Sequence, residues 1–240
     1  FFVRPGDEMK WYNYWKESRM KWHQSLGIEE KNYRFHDHVK LAHYANAATD
    51  IEFKFPFGFK ELEGIHSRTD FDLNSHQELS KKKLKYFDPE INESYVPYVV
   101  ETSIGLDRMF LAILSHSLIE EKLENGEIRS VLKIPAILAP IKAAILPLTK
   151  KDGLPEKARE IMSSLKIDLH CQYEEKDSIG KRYRRQDAIG TPFCITVDHE
   201  TLEKNTVTLR ERDSMNQERV SIESLHLIIS EKVKISNSLS

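Results

Sequence analysis

Hydrophobic and polar positions along the chain change their period several times. After the Pro5-Gly6 turn, Asp7 stands where it would cap a helix in which Trp11, Trp15, Ser18 and Trp22 recur at i, i+4, i+7 and i+11, ending near Gly27. From Ile51 the pattern becomes alternation. Ile51, Phe53, Phe55 and Phe57 fall on one side and Glu52 and Lys54 on the other, which predicts a strand before the Gly58 turn; KELEGI, from Lys60 to Ile65, resumes as a second strand. Residues 78–95 are lysine-rich and polar and read as a surface loop. The stretch VVETSIGLDRMFLAIL, from Val99 to Leu114, starts as a buried strand and finishes as an amphipathic helix expected to bury Leu106, Phe110, Ile113 and Leu114.

From Ala139 onward apolar strands and helical stretches alternate. Strands are predicted over Ile141 to Leu146, Asp168 to Tyr173, Phe193 to Val197 and Thr206 to Arg210, with helices over Leu154 to Leu165 and Ile179 to Ile189, the signature of an α/β unit. The shift places a domain boundary between Val131 and Pro140, giving domains 1–134 and 135–240. Ser236 to Ser240 read as a polar, frayed end.

Composition narrows the class without naming a function. The chain has 240 residues, 40% of them hydrophobic, so one large core or two modest ones are expected. No apolar run approaches the roughly 20 residues of a membrane span. Lys and Arg number 36 against 38 Asp and Glu, which argues against a uniformly basic nucleic-acid binder but permits local basic patches. Cys171 and Cys194 match no metal-ligand spacing and are expected to stay reduced, in a cytoplasmic setting. The chain opens FFVRPG without an initiator Met and reads as a piece of something longer.

Strand geometry gives the candidate chemistry. Alternation puts Val99, Glu101, Ser103 and Gly105 on one face and Val100, Thr102 and Ile104 on the other, so a carboxylate, a hydroxyl and an open backbone position line up. Arg108 follows in the first turn of the helix. An arginine and helix-start amides beside a carboxylate suit a triphosphate with its magnesium. In KELEGI, Glu61 and Glu63 are read on one face, with Gly64 allowing close approach to the backbone. Two such strands suggest a floor for a cation, either a metal or an ammonium group. Taken singly, a Glu in a strand or a G-x-x-R after one is usually a solvated face.

These residues resemble a known family. VVETSIGLDRMFLAIL looks like motif 3 of class II aminoacyl-tRNA synthetases. Together with KLAHYANAATDIEF, FGFKELEGIHSRTDFDL, SIGKRYRRQDAIGTPFCITVD and VTLRERDSMNQERV, in that order, it is similar to glycyl-tRNA synthetases of the homodimeric type. The resemblance implies an α/β (α+β) fold: part of an antiparallel-sheet catalytic domain, then a smaller mixed-sheet anticodon-binding domain. It implies a glycine–tRNA ligase that uses ATP and Mg²⁺ to form glycyl-adenylate and charge tRNA-Gly, working as a homodimer without membrane attachment. Arg108 is implied on the ATP γ-phosphate and Glu101 on magnesium and ATP. ATP is implied against Glu61, Leu62, Gly105, Leu106, Asp107 and Arg108, and glycine against Glu101, Thr102, Ser103, Ile104 and Gly105. Motif 1 and the body of motif 2 would precede FFVRPG, so the chain alone is expected to be inactive. His66-Ser67 stands where the resemblance leads one to expect small residues. A non-catalytic, synthetase-like nucleic-acid-binding subunit is the alternative, though it would have no physical need for Glu61, Glu101, Ser103 and Arg108 together.

In the second half, Lys181, Arg182, Tyr183, Arg184 and Arg185 on a helix offer four cations around an aromatic ring, the chemistry that stacks and holds single-stranded bases such as an anticodon. Arg210, Arg212 and Gln217 are weaker candidates, because alternating charge also serves structural pairing. His36, His38 and His43 imitate a metal cluster but suit no single helical face. The tryptophan stripe reads as packing, and Asp70 and Asp72 as partners of Arg68 or of a turn.

Overall fold

The structure, a computed structural model, describes residues 1–234; the polar end read at Ser236 to Ser240 lies outside them. The chain divides into two compact units, 1–115 and one that starts at His116. The first contains β1 (Phe2–Val3), α1 (Glu8–Ser25), β2 (Tyr33–Asp37), β3 (Ala47–Phe55), β4 (Gly58–Thr69), α2 (Phe71–Ser80), β5 (Tyr86–Asp88), β6 (Glu93–Tyr95) and β7 (Tyr98–Ile104). α3 (Leu106–Ser117) follows. The second unit then contains β8 (Leu118–Lys122), β9 (Ile128–Leu132), β10 (Ala143–Pro147), α4 (Leu154–Leu165), β11 (Cys171–Tyr173), α5 (Ile179–Ile189), β12 (Phe193–Val197), α6 (His199–Lys204), β13 (Thr206–Glu211), β14 (Gln217–Ser221) and α7 (Leu225–Lys232).

The first unit is an antiparallel sheet in the order β1-β7-β4-β3-β2. Ile51, Phe53 and Phe55 of β3, Ile65 of β4, Tyr12 and Met20 of α1, and Met109 and Ala112 of α3 form its core. One sheet face is therefore covered by helices, and alternation in β3 follows directly from that one-sided burial. α3 packs through Met109, Ala112 and Ile113. Leu106 and Phe110, expected inside, are exposed at 82% and 65%, so the helix is rotated from the face that its apolar residues alone suggested.

β4 carries the decisive local feature. Its pairing with β3 sets Glu63 opposite Ile51 but Glu61 opposite Glu52, leaving Leu62 as an inserted residue. A bulge of this kind switches the side to which later residues point. Ile51 and Glu52 face opposite ways, so Glu61 and Glu63 do too, correcting the reading that put both on one face.

The second unit is a mixed sheet in the order β11-β10-β12-β13-β14, parallel between β10 and its two neighbours and antiparallel beyond β12. Ala143, Ile145, Ile195 and Leu209 face a core with Leu154, Ala158 and Ile161 of α4 and Leu225 and Ile229 of α7. Ala144, Leu146 and Cys194 face the other way, against Ile179 and Tyr183 of α5. Double coverage explains why β10 and β12 read as unbroken apolar runs. The β8–β9 hairpin belongs to this unit because the buried Arg129 of β9 reaches Asp187 of α5 at 3.1 Å and the carbonyl of Arg212. The boundary between the units thus falls ahead of Val131 to Pro140, where composition changes. Among the described residues both cysteines are free thiols, and burial pushes the Cys171 thiol up to about 11.

Candidate functional site

Residues directly opposite one another in adjacent antiparallel strands point to the same side. Gly64 opposes Ser103 and His66 opposes Glu101 across β4 and β7, while Asp50 opposes Gly64 and His36 across β3. One sheet face, the one not covered by α1, thus collects Asp50, Glu52, Glu61, Glu101, Ser103 and His66. Each of its carboxylates has a basic partner. Asp50 meets His38 at 2.9 Å, Glu52 meets Arg34 at 2.5 Å, Glu101 accepts from Arg68 at 2.7 Å, and Glu61 lies 3.2 Å from Arg108. With a basic group against each of the four carboxylates, ligand charge must compete with existing pairs.

Arg108 stands in the first turn of α3. Its guanidinium also donates to the Glu61 carbonyl at 2.7 Å and remains half exposed, so the cation is aimed without being buried. Beside it opens a cavity of about 500 Å³ lined by Glu52, Phe55, Phe57, Lys60, Glu61, Arg108 and Leu111. Phe57 stacks on Phe55 with ring planes 2° apart and is 64% exposed, an aromatic plane open to a flat ligand.

Arg68 is the brace of this floor. It donates to both oxygens of Asp72, at 2.7 and 3.0 Å, and to Glu101, which ties α2, β4 and β7 together. Those hydrogen bonds to Asp72 outweigh partial burial and hold the Asp72 carboxyl below its ordinary range. The structure thus places Asp72 on Arg68, as read from the sequence, and Asp70 at the start of α2.

The remaining expected site residues separate. Leu62 is buried in the core and can offer only its main chain to the open face. Thr102 opposes Ile65 and Ile104 opposes Glu63, on the helix-covered side, so their side chains do not share the face of Glu101 and Ser103. Gly105, Leu106 and Asp107 are exposed at the strand-to-helix junction. Glu63 is removed from the floor altogether. It lies under α1, where Arg19 donates to its two oxygens at 2.6 and 3.1 Å and His23 Nε2 is 2.8 Å away. Burial pushes the Glu63 carboxyl up, and the bonds from His23 and Arg19 outweigh it, so the group sits below the ordinary glutamate range. His36, His38 and His43 do not converge: His43 packs on Phe71, and no group of three metal-ligating side chains occurs among the described residues.

In the second unit the basic helix splits into two roles. Arg182 is buried, and its guanidinium donates to the carbonyls of Pro147, Glu174 and Leu148 at 2.7, 3.3 and 3.4 Å. Spacing by four puts Gln186 on the same inward stripe. Lys181, Arg184 and Arg185 face outward, with Arg185 engaged by Glu174 and Asp177. Tyr183 leans on the sheet, its hydroxyl 2.6 Å from Thr196 Oγ1 and its ring under Arg210 at 4.7 Å. Arg210 is held by Asp187 and Arg212 by Asp213 and the Gly190 carbonyl, so both are structural pairs. A cavity of about 210 Å³ nevertheless gathers Gly180, Tyr183, Arg184, Arg210, Met215 and Gln217. Its floor is aromatic and its rim cationic, and Met215 at its edge was not singled out in the sequence.

A family model described as an anticodon binding domain matches residues 142–232, most of the second unit. Over 223 residues the chain is 51% identical to the glycine–tRNA ligase of Chlorobaculum tepidum, covering 92% of this chain and 47% of the relative. It is 50% identical over 236 residues to that of Clostridium kluyveri and 51% identical over 236 residues to that of Macrococcus caseolyticus; both matches cover 98% of this chain, and 50% and 51% of the relatives. Across 92–98% of its length the chain is thus similar to curated glycine–tRNA ligases. It spans about half the length of the curated relatives it matches. Among solved structures, the RNA binding domain of threonyl-tRNA synthetase from Cryptosporidium parvum superposes with a TM-score of 0.71 at 15% identity, covering all of this chain and 64% of that one, a likeness of fold. No helix among the described residues is long and apolar enough to cross a membrane.

Proposed function

We propose that this chain supplies part of the nucleotide and amino-acid platform of a glycine–tRNA ligase, in its first unit, and the tRNA-reading module in its second. The observation that carries the reading is the open sheet face, where Glu61 and Arg108 form one corner and Glu101 and Ser103 another. Arg108, exposed yet aimed by the Glu61 carbonyl, suits the terminal phosphate of ATP. Magnesium enters with ATP as part of the substrate. Glu101 fits it as a single carboxylate ligand, since Mg²⁺ is commonly held by one or two carboxylates plus substrate phosphates.

The chemistry asks for placement and charge neutralisation. A glycine carboxylate oxygen attacks the α-phosphorus, the bond to the bridging oxygen breaks, and pyrophosphate leaves; a terminal hydroxyl of tRNA then takes the glycyl group and AMP departs. A carboxylate and a hydroxyl, Glu101 and Ser103, receive the glycine ammonium. In the second unit, Lys181, Arg184 and the cavity over Tyr183 receive single-stranded bases of tRNA-Gly. The setting is the cytoplasm and the working form a homodimer. The test is glycine-dependent exchange of pyrophosphate into ATP by the full-length protein, followed by charging of tRNA-Gly. Exchange that occurs equally without glycine, or with another amino acid instead, overturns the reading.

A further inference from the structure

Four residues meet on the open face between β4 and β7: Gly64 opposite Ser103, and His66 opposite Glu101. The imidazole of His66 folds back over Gly64. A Cβ at position 64 would stand 2.8 Å from His66 Cε1 and 3.5 Å from Nδ1, so the ring occupies the space that a side chain there would need. His66 Nδ1 is buried and makes no hydrogen bond. It lies 3.6 Å from Glu101 Oε2, beyond hydrogen-bond length. The ring is backed by His38 at 6.0 Å, edge to face, and His38 is itself held by Asp50 at 2.9 Å. The same Glu101 oxygen accepts from Arg68 at 2.7 Å.

A ring nitrogen without a hydrogen bond is thus held beside a carboxylate oxygen that already accepts from Arg68. A buried polar atom left without a partner is costly, and such groups mark places where a donor arrives. A primary ammonium has three N–H donors on one centre and can bridge the pair, giving one bond to Glu101 and one to His66 Nδ1. The ring also forms a wall, because it fills the space directly above Gly64 on the open face.

We propose that His66 is a specificity-determining residue for the amino acid, accepting a hydrogen bond from its α-ammonium beside Glu101 and closing the space above Gly64 to any side chain larger than hydrogen. The proposal rests on the glycine-activating reading above and adds to it a residue whose role is both polar and steric. Rejection by exclusion is what a glycine site needs, because attraction for a single methylene discriminates only about 10- to 200-fold.

The test compares the full-length protein with its His66→Ala and His66→Phe variants, measuring pyrophosphate exchange with glycine and with alanine. In His66→Ala the KM for glycine is expected to rise about tenfold, as the loss of one hydrogen bond to a charged group implies. The KM for ATP is expected to stay within twofold, and the alanine-to-glycine ratio of kcat/KM to rise at least about tenfold, the range that removing a methyl-sized exclusion allows. His66→Phe keeps the wall and loses the acceptor, so it is expected to raise the KM for glycine while holding the alanine ratio low. Thermal melting of each variant separates these effects from misfolding. An unchanged glycine KM and an unchanged alanine ratio in a folded His66→Ala protein overturn the role of His66 and leave the glycine-activating reading standing. Absence of glycine-dependent exchange in the unaltered protein overturns both.

Discussion

Asp187 grips Arg210 through two parallel hydrogen bonds, 2.8 and 3.0 Å long, with both side chains buried. The same carboxylate lies 3.1 Å from Arg129 Nε and 3.7 Å from Arg184. One aspartate therefore joins α5 to β9 and β13 and sits directly beneath the cationic rim of the small cavity in the second unit. Replacing a buried carboxylate leaves its arginines uncompensated, which costs far more than the pair itself is worth. Asp187→Ala is expected to lower the opening free energy of α5 and β13 by about 3–5 kcal/mol. Amide hydrogen exchange of those elements checks it, and a loss under about 1 kcal/mol would show that the cluster carries little of the fold.

Glu63 makes the stability of the first unit pH-dependent. Its carboxyl is held below the ordinary range in the folded chain, so its contribution is complete above the unfolded value and declines as pH falls through the lower, folded one. Glu63→Gln is expected to cost about 1.5–3 kcal/mol at neutral pH, the range for a hydrogen bond to a charged group, and to flatten the acid limb of the stability curve. All three tryptophans lie on α1, the helix that carries Arg19 and His23, so fluorescence during urea unfolding reads this unit directly. An acid limb unchanged by the substitution would contradict the assignment.

Arg184 lines the cavity over Tyr183, and Lys181 is an exposed cation of the same helix. Reversing both charges is expected to weaken tRNA binding and to reduce the slope of log affinity against log salt by about one unit for each phosphate no longer neutralised. Melting temperature should hold. Arg182→Glu is expected to behave in the opposite way, lowering the melting temperature because three backbone carbonyls lose their donor. A salt slope that survives both outward reversals would remove α5 from the nucleic-acid interface.

Arg108 tests the first-unit platform. Its exposure means that Arg108→Ala should leave the fold intact, while pyrophosphate exchange in the full-length protein falls on the order of 100-fold, the usual cost of deleting one pre-aimed donor to developing negative charge. Steady-state kinetics at saturating glycine give the answer, and activity within a fewfold of the unaltered protein would place the phosphates elsewhere.

Much of this architecture is legible from residue order alone. The limits of α4 and α5 match their periodicity, and the face shared by Glu101 and Ser103 follows from strand alternation. What escaped was set by residues distant in sequence. Leu62 is an ordinary apolar residue, and nothing in KELEGI announces that it is the inserted one. Arg182 looks like any member of a basic run until the carbonyl ends of β10 and β11 surround it. The β5–β6 pair lies in a stretch read as loop, because two three-residue strands carry too little alternation to register. Phe110 and Leu106 announced a buried helix face, yet Met109 and Ala112 are the residues that meet the sheet.

The inserted Leu62 leaves β4 tolerant of substitution in a way it cannot be of length. Removing Lys60 would let the ladder close without its inserted residue: Glu63 would keep its place under α1, while Glu61, the carboxylate facing Arg108, would move opposite Phe53 on the core side. The segment's spacing, counted in whole residues, is a constraint separate from its chemistry, and insertions or deletions there should be far less tolerated than exchanges of side chain.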